Sequence, residues 1–139
     1  MFVAVLRIKP LKEYSPPLHL NQLVFDTLFK GGTEVYLEPR GVEPVEYSVV
    51  VVASPIWINR LASPTQGFLR GYVGKLSKYV LVVTSELRVS CERITNMVEK
   101  IARVKPIACF NVRDNEIRDP GELSRVANVV ASAIVKLAG

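Results

Sequence analysis

Two apolar runs constrain this chain more than any other feature: Ser48–Ala53, SVVVVA, and Tyr79–Thr84, YVLVVT. Both are rich in β-branched residues and apolar on both faces, and both are shorter than an ordinary helix. Each therefore reads as a strand buried above and below, the pattern of a parallel sheet with helices on its two faces. Three further segments read as strands: Phe2–Ile8 (FVAVLRI), Thr33–Leu37 (TEVYL) and Pro106–Val112 (PIACFNV).

Helical stripes with start signals separate these strands. Asp119-Pro120-Gly121-Glu122 has the form of a capping box, and Leu123, Val126, Ala127, Val130, Ala133, Ile134 and Leu137 follow at helical spacing. Ser63-Pro64-Thr65-Gln66 repeats the signal ahead of Phe68, Leu69 and Tyr72. Ser90 is placed to cap a helix with the stripe Cys91, Ile94, Met97, Val98 and Ile101. Ser15-Pro16-Pro17 opens a stretch carrying Leu20, Leu23, Val24 and Leu28, closed by Gly31-Gly32. Pro39, Gly41 and Pro44 leave little room for a helix between the second and third strands.

The resulting order is β-α-β-β-α-β-α-β-α. Right-handed crossovers fold such a chain into an open, doubly wound α/β sheet. With no repeat, linker or low-complexity tract, residues 1–139 are expected to form one domain. Ligands of such sheets bind at the carboxyl ends of strands, near the switch in strand order. The loops after the first, third and fourth strands are thus the candidate site.

Composition narrows the function classes. An apolar content of 49% with mean hydropathy +0.23 excludes a disordered chain. No segment reaches the ~20 apolar residues of a membrane helix. The short apolar run before Arg7 has no basic region ahead of it and does not read as a signal peptide, so a cytoplasmic protein is expected. In that compartment Cys91 and Cys109 are expected as buried thiols; with the lone His19 they show no zinc-ligand spacing. The net charge of +5 is uneven, with nine Lys/Arg against three Glu in residues 60–105. That favours an anionic ligand or an acidic partner, while the absence of long basic runs argues against nucleic acid.

The third strand leads into Ala53-Ser54-Pro55-Ile56-Trp57, which reads as a loop, and then into Ser63-Pro64-Thr65-Gln66-Gly67-Phe68-Leu69. A strand followed by Ser-Pro-Ile-aromatic and then a Pro-started helix with Phe-Leu resembles the flavodoxin family, including its NAD(P)H-dependent FMN reductases. The order of elements agrees across most of the chain, and Gly74-Lys75 ahead of the fourth strand matches as well. The resemblance implies a flavodoxin-like three-layer sandwich with a five-stranded parallel sheet of order 2-1-3-4-5 and a reduced helix between strands 2 and 3. It also implies FMN as cofactor, with Trp57 covering the flavin ring. Ser54, Pro55, Ile56, Ile58 and Asn59 would then supply ring contacts, joined by Thr84 and Ser85 at the end of the fourth strand.

The phosphate loop departs from the family pattern. The segment Lys9–His19 has no glycine, and Pro16 and Pro17 remove two amides that would donate to a phosphate. Only Ser15 offers a small hydroxyl. Side-chain cations at the rim (Arg7, Lys9, Lys12, Arg60 and Arg88) are the expected replacement, with His19 near them.

The expected function is that of an FMN-dependent redox protein, either an electron carrier or a small NAD(P)H:flavin/quinone reductase. No Ser/His/Asp or paired-carboxylate constellation competes with this reading. Its partner would be a redox protein or an NAD(P)H- or quinone-type substrate, and the sequence leaves a homo-oligomer open. The alternative is a module of the same fold that has lost FMN and binds an anionic ligand or acidic partner.

Overall fold

The computed structural model describes residues 4–11, 32–86 and 89–138. The expected helix after Ser15-Pro16-Pro17 lies outside the described residues, as do Lys12, Ser15, His19 and Arg88.

Strands β3 (Val50–Trp57), β5 (Tyr79–Ser85) and β6 (Ala108–Arg113) lie side by side in parallel, and the two-residue strand β4 (Arg60–Leu61) runs antiparallel along the outer edge of β3. The sheet order is β4-β3-β5-β6. The register sets Val52 beside Leu81 and Leu81 beside Cys109. The last three expected strands are therefore present, parallel and adjacent in the expected sequence.

The first two are different. Strands β1 (Arg7–Pro10) and β2 (Val35–Glu38) form a separate antiparallel pair, with Arg7 opposite Glu38 and Pro10 opposite Val35. This corrects the expectation of five parallel strands in order 2-1-3-4-5. Strand β1 also lies later than Phe2–Ile8, running on to Pro10, and its ladder is short and half-buried. A short, half-exposed pair lacks the double-sided burial that favours parallel pairing. Between β2 and β3 only a single 3-10 turn, Pro44–Glu46, is present, in line with the expected reduced helix.

Helices α1 (Ser63–Gly71) and α2 (Cys91–Ala102) pack against each other and cover one face of the sheet. Phe68 and Leu69 from α1 and Ile94 and Val98 from α2 meet Val52, Leu81 and Val83 in the core. Ser90 caps α2 as expected, accepting from the Arg93 amide at 3.3 Å. Ser63 does not cap α1. It lies inside the helix and is fully buried, while Gln66 Nε2 donates to the Leu61 carbonyl at 2.6 Å. Strand β5 is buried along one face from Tyr79 to Ser85 and at Val80 on the other, where Val82 and Thr84 are half-buried, whereas β3 alternates, with Val52 and Ser54 buried and Val51 exposed at 44%.

Two further helices follow β6. A short helix α3 (Asp114–Arg118), absent from the sequence reading, precedes α4 (Pro120–Ala138). Asp119 opens α4 as expected, accepting from the Gly121 amide at 3.0 Å. Glu122 turns instead to Arg125, 2.8 Å away.

The cysteines are also corrected. Cys91, the first residue of α2, and Cys109 in β6 form a disulfide with Cα atoms 5.9 Å apart. The sheet register brings β6 under the start of α2, an approach that residue type and spacing do not reveal. Among the described residues no helix is long and apolar enough to cross a membrane.

Candidate functional site

The segment expected to be a loop is a continuation of the central strand. β3 does not stop at Ala53 but runs four residues further, through Ser54 and Pro55, to Trp57. The Ser54 hydroxyl donates to the Pro55 carbonyl at 2.9 Å and accepts from the Ala62 amide at 3.2 Å. These bonds fold the returning strand against the outgoing one. Ile56 then pairs with Leu61, and Trp57 with Arg60. Leu61 is 2% exposed, so the return strand is anchored in the core by one buried side chain.

Only Ile58 and Asn59 connect the two strands, and both have positive φ, 52° and 61°. Left-handed backbone at both central residues is the signature of the tight hairpin turn that matches strand twist. Asn tolerates that conformation; a β-branched Ile is a steric outlier there. The Ile58 side chain is 48% exposed, at the tip of the hairpin.

The neighbouring strands end at the same rim. Thr84 lies in register with Pro55 and with Val112, and Ser85 with Arg113. The Ser85 hydroxyl is 3.5 Å from Asn111 Oδ1, and Asn111 Nδ2 donates to the Val89 carbonyl at 2.5 Å. Asn111 thus ties the segment after β5 to β6, a positioning role that the sequence reading missed.

Two guanidinium atoms stand out electrostatically. Among the described residues, Nε of Arg60 and Nε of Arg113 are the buried side-chain polar atoms without a hydrogen-bond partner. Burying a donor without an acceptor costs about 1–3 kcal/mol, so such atoms call for an explanation. Both belong to residues at the carboxyl rim, Arg60 beside the end of β3 and Arg113 at the end of β6.

The amino-terminal cations are placed differently. Lys9 lies in β1 and pairs with Glu38 at 3.0 Å, which raises its ammonium above the ordinary range. Arg7 is exposed on the same strand. Neither Lys9 nor Arg7 is among the residues that line the space beside Arg60.

Other cations do meet Arg60. A shallow cavity of about 510 Å³, widely open to solvent, lies between β4 and one flank of α2, lined by Arg60, Ser90, Glu92, Arg93, Asn96, Met97 and Lys100. None of its three cations makes an ion pair among the described residues. Arg93 and Lys100 are seven apart and so project from one flank of α2. That spacing was legible within the basic 60–105 segment; the approach of Arg60 was not. A second cleft, about 630 Å³, lies between β2, the 39–43 turn and α1, where Arg40 stacks on Tyr36 with its guanidinium carbon 5.1 Å from the ring centre.

No family model matches the chain, and no curated protein matches it by sequence. Among solved structures it is similar to a flavoprotein from Lactobacillus acidophilus NCFM, crystallised in complex with FMN. The TM-score is 0.52 at 18% sequence identity, over 82% of this chain and 76% of that one. At this identity the likeness concerns the α/β fold.

Proposed function

We propose that this chain is a flavodoxin-like, FMN-binding redox protein whose ring site is the carboxyl rim formed by the β3–β4 hairpin and the end of β5. The observation that carries this reading is the placement of Trp57. The chain's single tryptophan ends the central strand, half-buried, beside a left-handed turn at the rim where ligands of doubly wound sheets bind. The likeness to an FMN-bound flavoprotein supports the choice of cofactor.

The residues present fit the group. An indole offers a flat apolar platform to a planar heterocycle. The orphaned Nε atoms of Arg60 and Arg113 offer donors to an acceptor-rich ring and its phosphate. No acidic side chain occurs between Ser54 and Leu61 to repel them.

In this reading Trp57 covers the ring, and Ser54, Pro55, Ile56, Ile58 and Asn59 form its border. Thr84 and Ser85 edge it from β5. FMN supplies the electron chemistry when bound, while the chain orients it and limits water access. The electron partner is a redox protein, a nicotinamide or a quinone, and the site of action is the cytoplasm. The disulfide is compatible with that compartment in hyperthermophiles, whose intracellular proteins are disulfide-rich. The second reading, a module that has lost FMN, is favoured by the glycine-free segment Lys9–His19.

One experiment separates the two. Purified protein is mixed with FMN, desalted, and examined by visible absorption and by Trp57 fluorescence. Retained flavin bands with quenched emission are expected, and Trp57→Ala should weaken binding about fivefold to tenfold, within the range of an aromatic stacking contact. A colourless protein with unchanged emission would leave the interaction module as the reading.

A further inference from the structure

The cavity between β4 and α2 has a chemistry of its own. Arg60, Arg93 and Lys100 converge on it from elements far apart in sequence, and none has a carboxylate within ion-pairing distance among the described residues. Three like charges facing one space of about 510 Å³ repel one another unless an anion enters between them. Arg60 comes from the β3–β4 hairpin, so the charge it brings to this space is independent of the two on α2. Around these charges stand neutral donors, the Asn96 amide and Ser90 at the start of α2, where the helix dipole also favours negative charge. Glu92, the one acid in the lining, makes no ion pair with the three cations.

We propose that this cavity is a binding site for the phosphate group of a nucleotide, held by Arg60, Arg93 and Lys100 with Asn96 in support. Guanidinium groups match the geometry of phosphate oxygens, and lysine adds a point charge. The site replaces, with side chains, the backbone amides that the Lys9–His19 segment lacks because of Pro16 and Pro17. Phosphate of this kind comes from two sources. It belongs either to FMN or to a nicotinamide dinucleotide. Only the first source depends on the flavin reading.

The test is calorimetric titration of the full chain with inorganic pyrophosphate at low ionic strength. Saturable one-to-one binding is expected. The double variant Arg93→Ala/Lys100→Ala should weaken it about tenfold or more, one decade per 1.4 kcal/mol lost. Both residues are exposed, so the variant should fold normally, which circular dichroism checks. The double variant Lys75→Ala/Lys78→Ala removes the same charge outside the cavity and should change affinity less than about twofold.

Absence of saturable binding, or an equal loss in the two double variants, overturns the site. Where pyrophosphate does bind there, two further titrations name the source. A preference for FMN over riboflavin that disappears in Arg93→Ala/Lys100→Ala assigns FMN. Equal binding of the two flavins, with displacement of pyrophosphate by NADPH, assigns the dinucleotide. Pyrophosphate bound in the cavity by a protein that binds no flavin keeps the site and removes the flavin reading.

Discussion

Trp57 and Arg60 stand opposite each other on the closing rung of the β3–β4 hairpin, joined by two residues with positive φ. For an L-residue with a Cβ, left-handed backbone costs roughly 1–2 kcal/mol, and Ile58 adds β-branching. Replacing the turn by Asn-Gly, as Ile58→Asn with Asn59→Gly, should raise stability by about 1 kcal/mol. Urea unfolding reads this directly. A midpoint that stays or falls would mean that Ile58 makes contacts outweighing its backbone cost.

The approach of α1 to the residues before β2 is closer still. A Cβ on Gly67 would clash severely with the Thr33 carbonyl oxygen, and one on Gly32, whose φ is +103°, would clash with the Gly67 amide. Backbone on both sides leaves nothing flexible to give way. Gly67→Ala should therefore cost about 3 kcal/mol, at the upper end of overpacking effects. Gly71→Ala, in the same helix with open space around it, should be neutral or stabilising by up to about 1 kcal/mol. Equal thermal midpoints for the two variants would contradict the close approach.

The Cys91–Cys109 bridge closes a loop with a sequence separation of 18. A cross-link of that length restrains the unfolded chain by about 3 kcal/mol. Thermal unfolding with and without a thiol reductant should show the loss, and Cys91→Ser/Cys109→Ser should reproduce it without reductant. A reductant-independent midpoint would show that the bridge does not form in solution.

Tyr79 provides a pH signature. Its side chain is fully buried and its hydroxyl donates to the Val104 carbonyl; burial, with a smaller push from Glu99, raises the phenol from 10 to about 12. The folded state thus holds the proton more tightly than the unfolded one. Its contribution is complete below pH 10, shrinks as pH rises, and is lost through about 12. Stability measured in denaturant should fall across this alkaline window. Tyr79→Phe should flatten that slope while costing about 1–2 kcal/mol at neutral pH, because the Val104 carbonyl loses its partner. A slope unchanged in Tyr79→Phe would assign the alkaline loss to other groups.

Local patterns determined much of this protein. Tyr79–Thr84 became a strand because six consecutive β-favouring residues have one compact way to bury both faces. The stripe from Ile94 to Ile101 became one side of α2, and Ser90 and Asp119 became caps, because helical spacing and orphan amides act over only a few residues. The positions of the three later strands and the reduced connection at Pro44–Glu46 follow from the same short-range rules.

Tertiary structure alone decided the rest. Ser54-Pro55 reads as a strand's end, yet the strand continues because Leu61 finds the core and pulls its own segment back along β3. The turn shows no glycine to announce it, since pairing imposes its conformation on Ile58. The first two strands pair with each other although their residues are compatible with either direction of pairing. Cys91 and Cys109 meet because β5 and β6 are neighbours in register. Arg60 and Lys100 share a cavity although 40 residues separate them, and no periodicity relates a hairpin to the flank of a helix. Periodicity carries information over a turn or a rung; which surfaces then face one another depends on how the whole core closes.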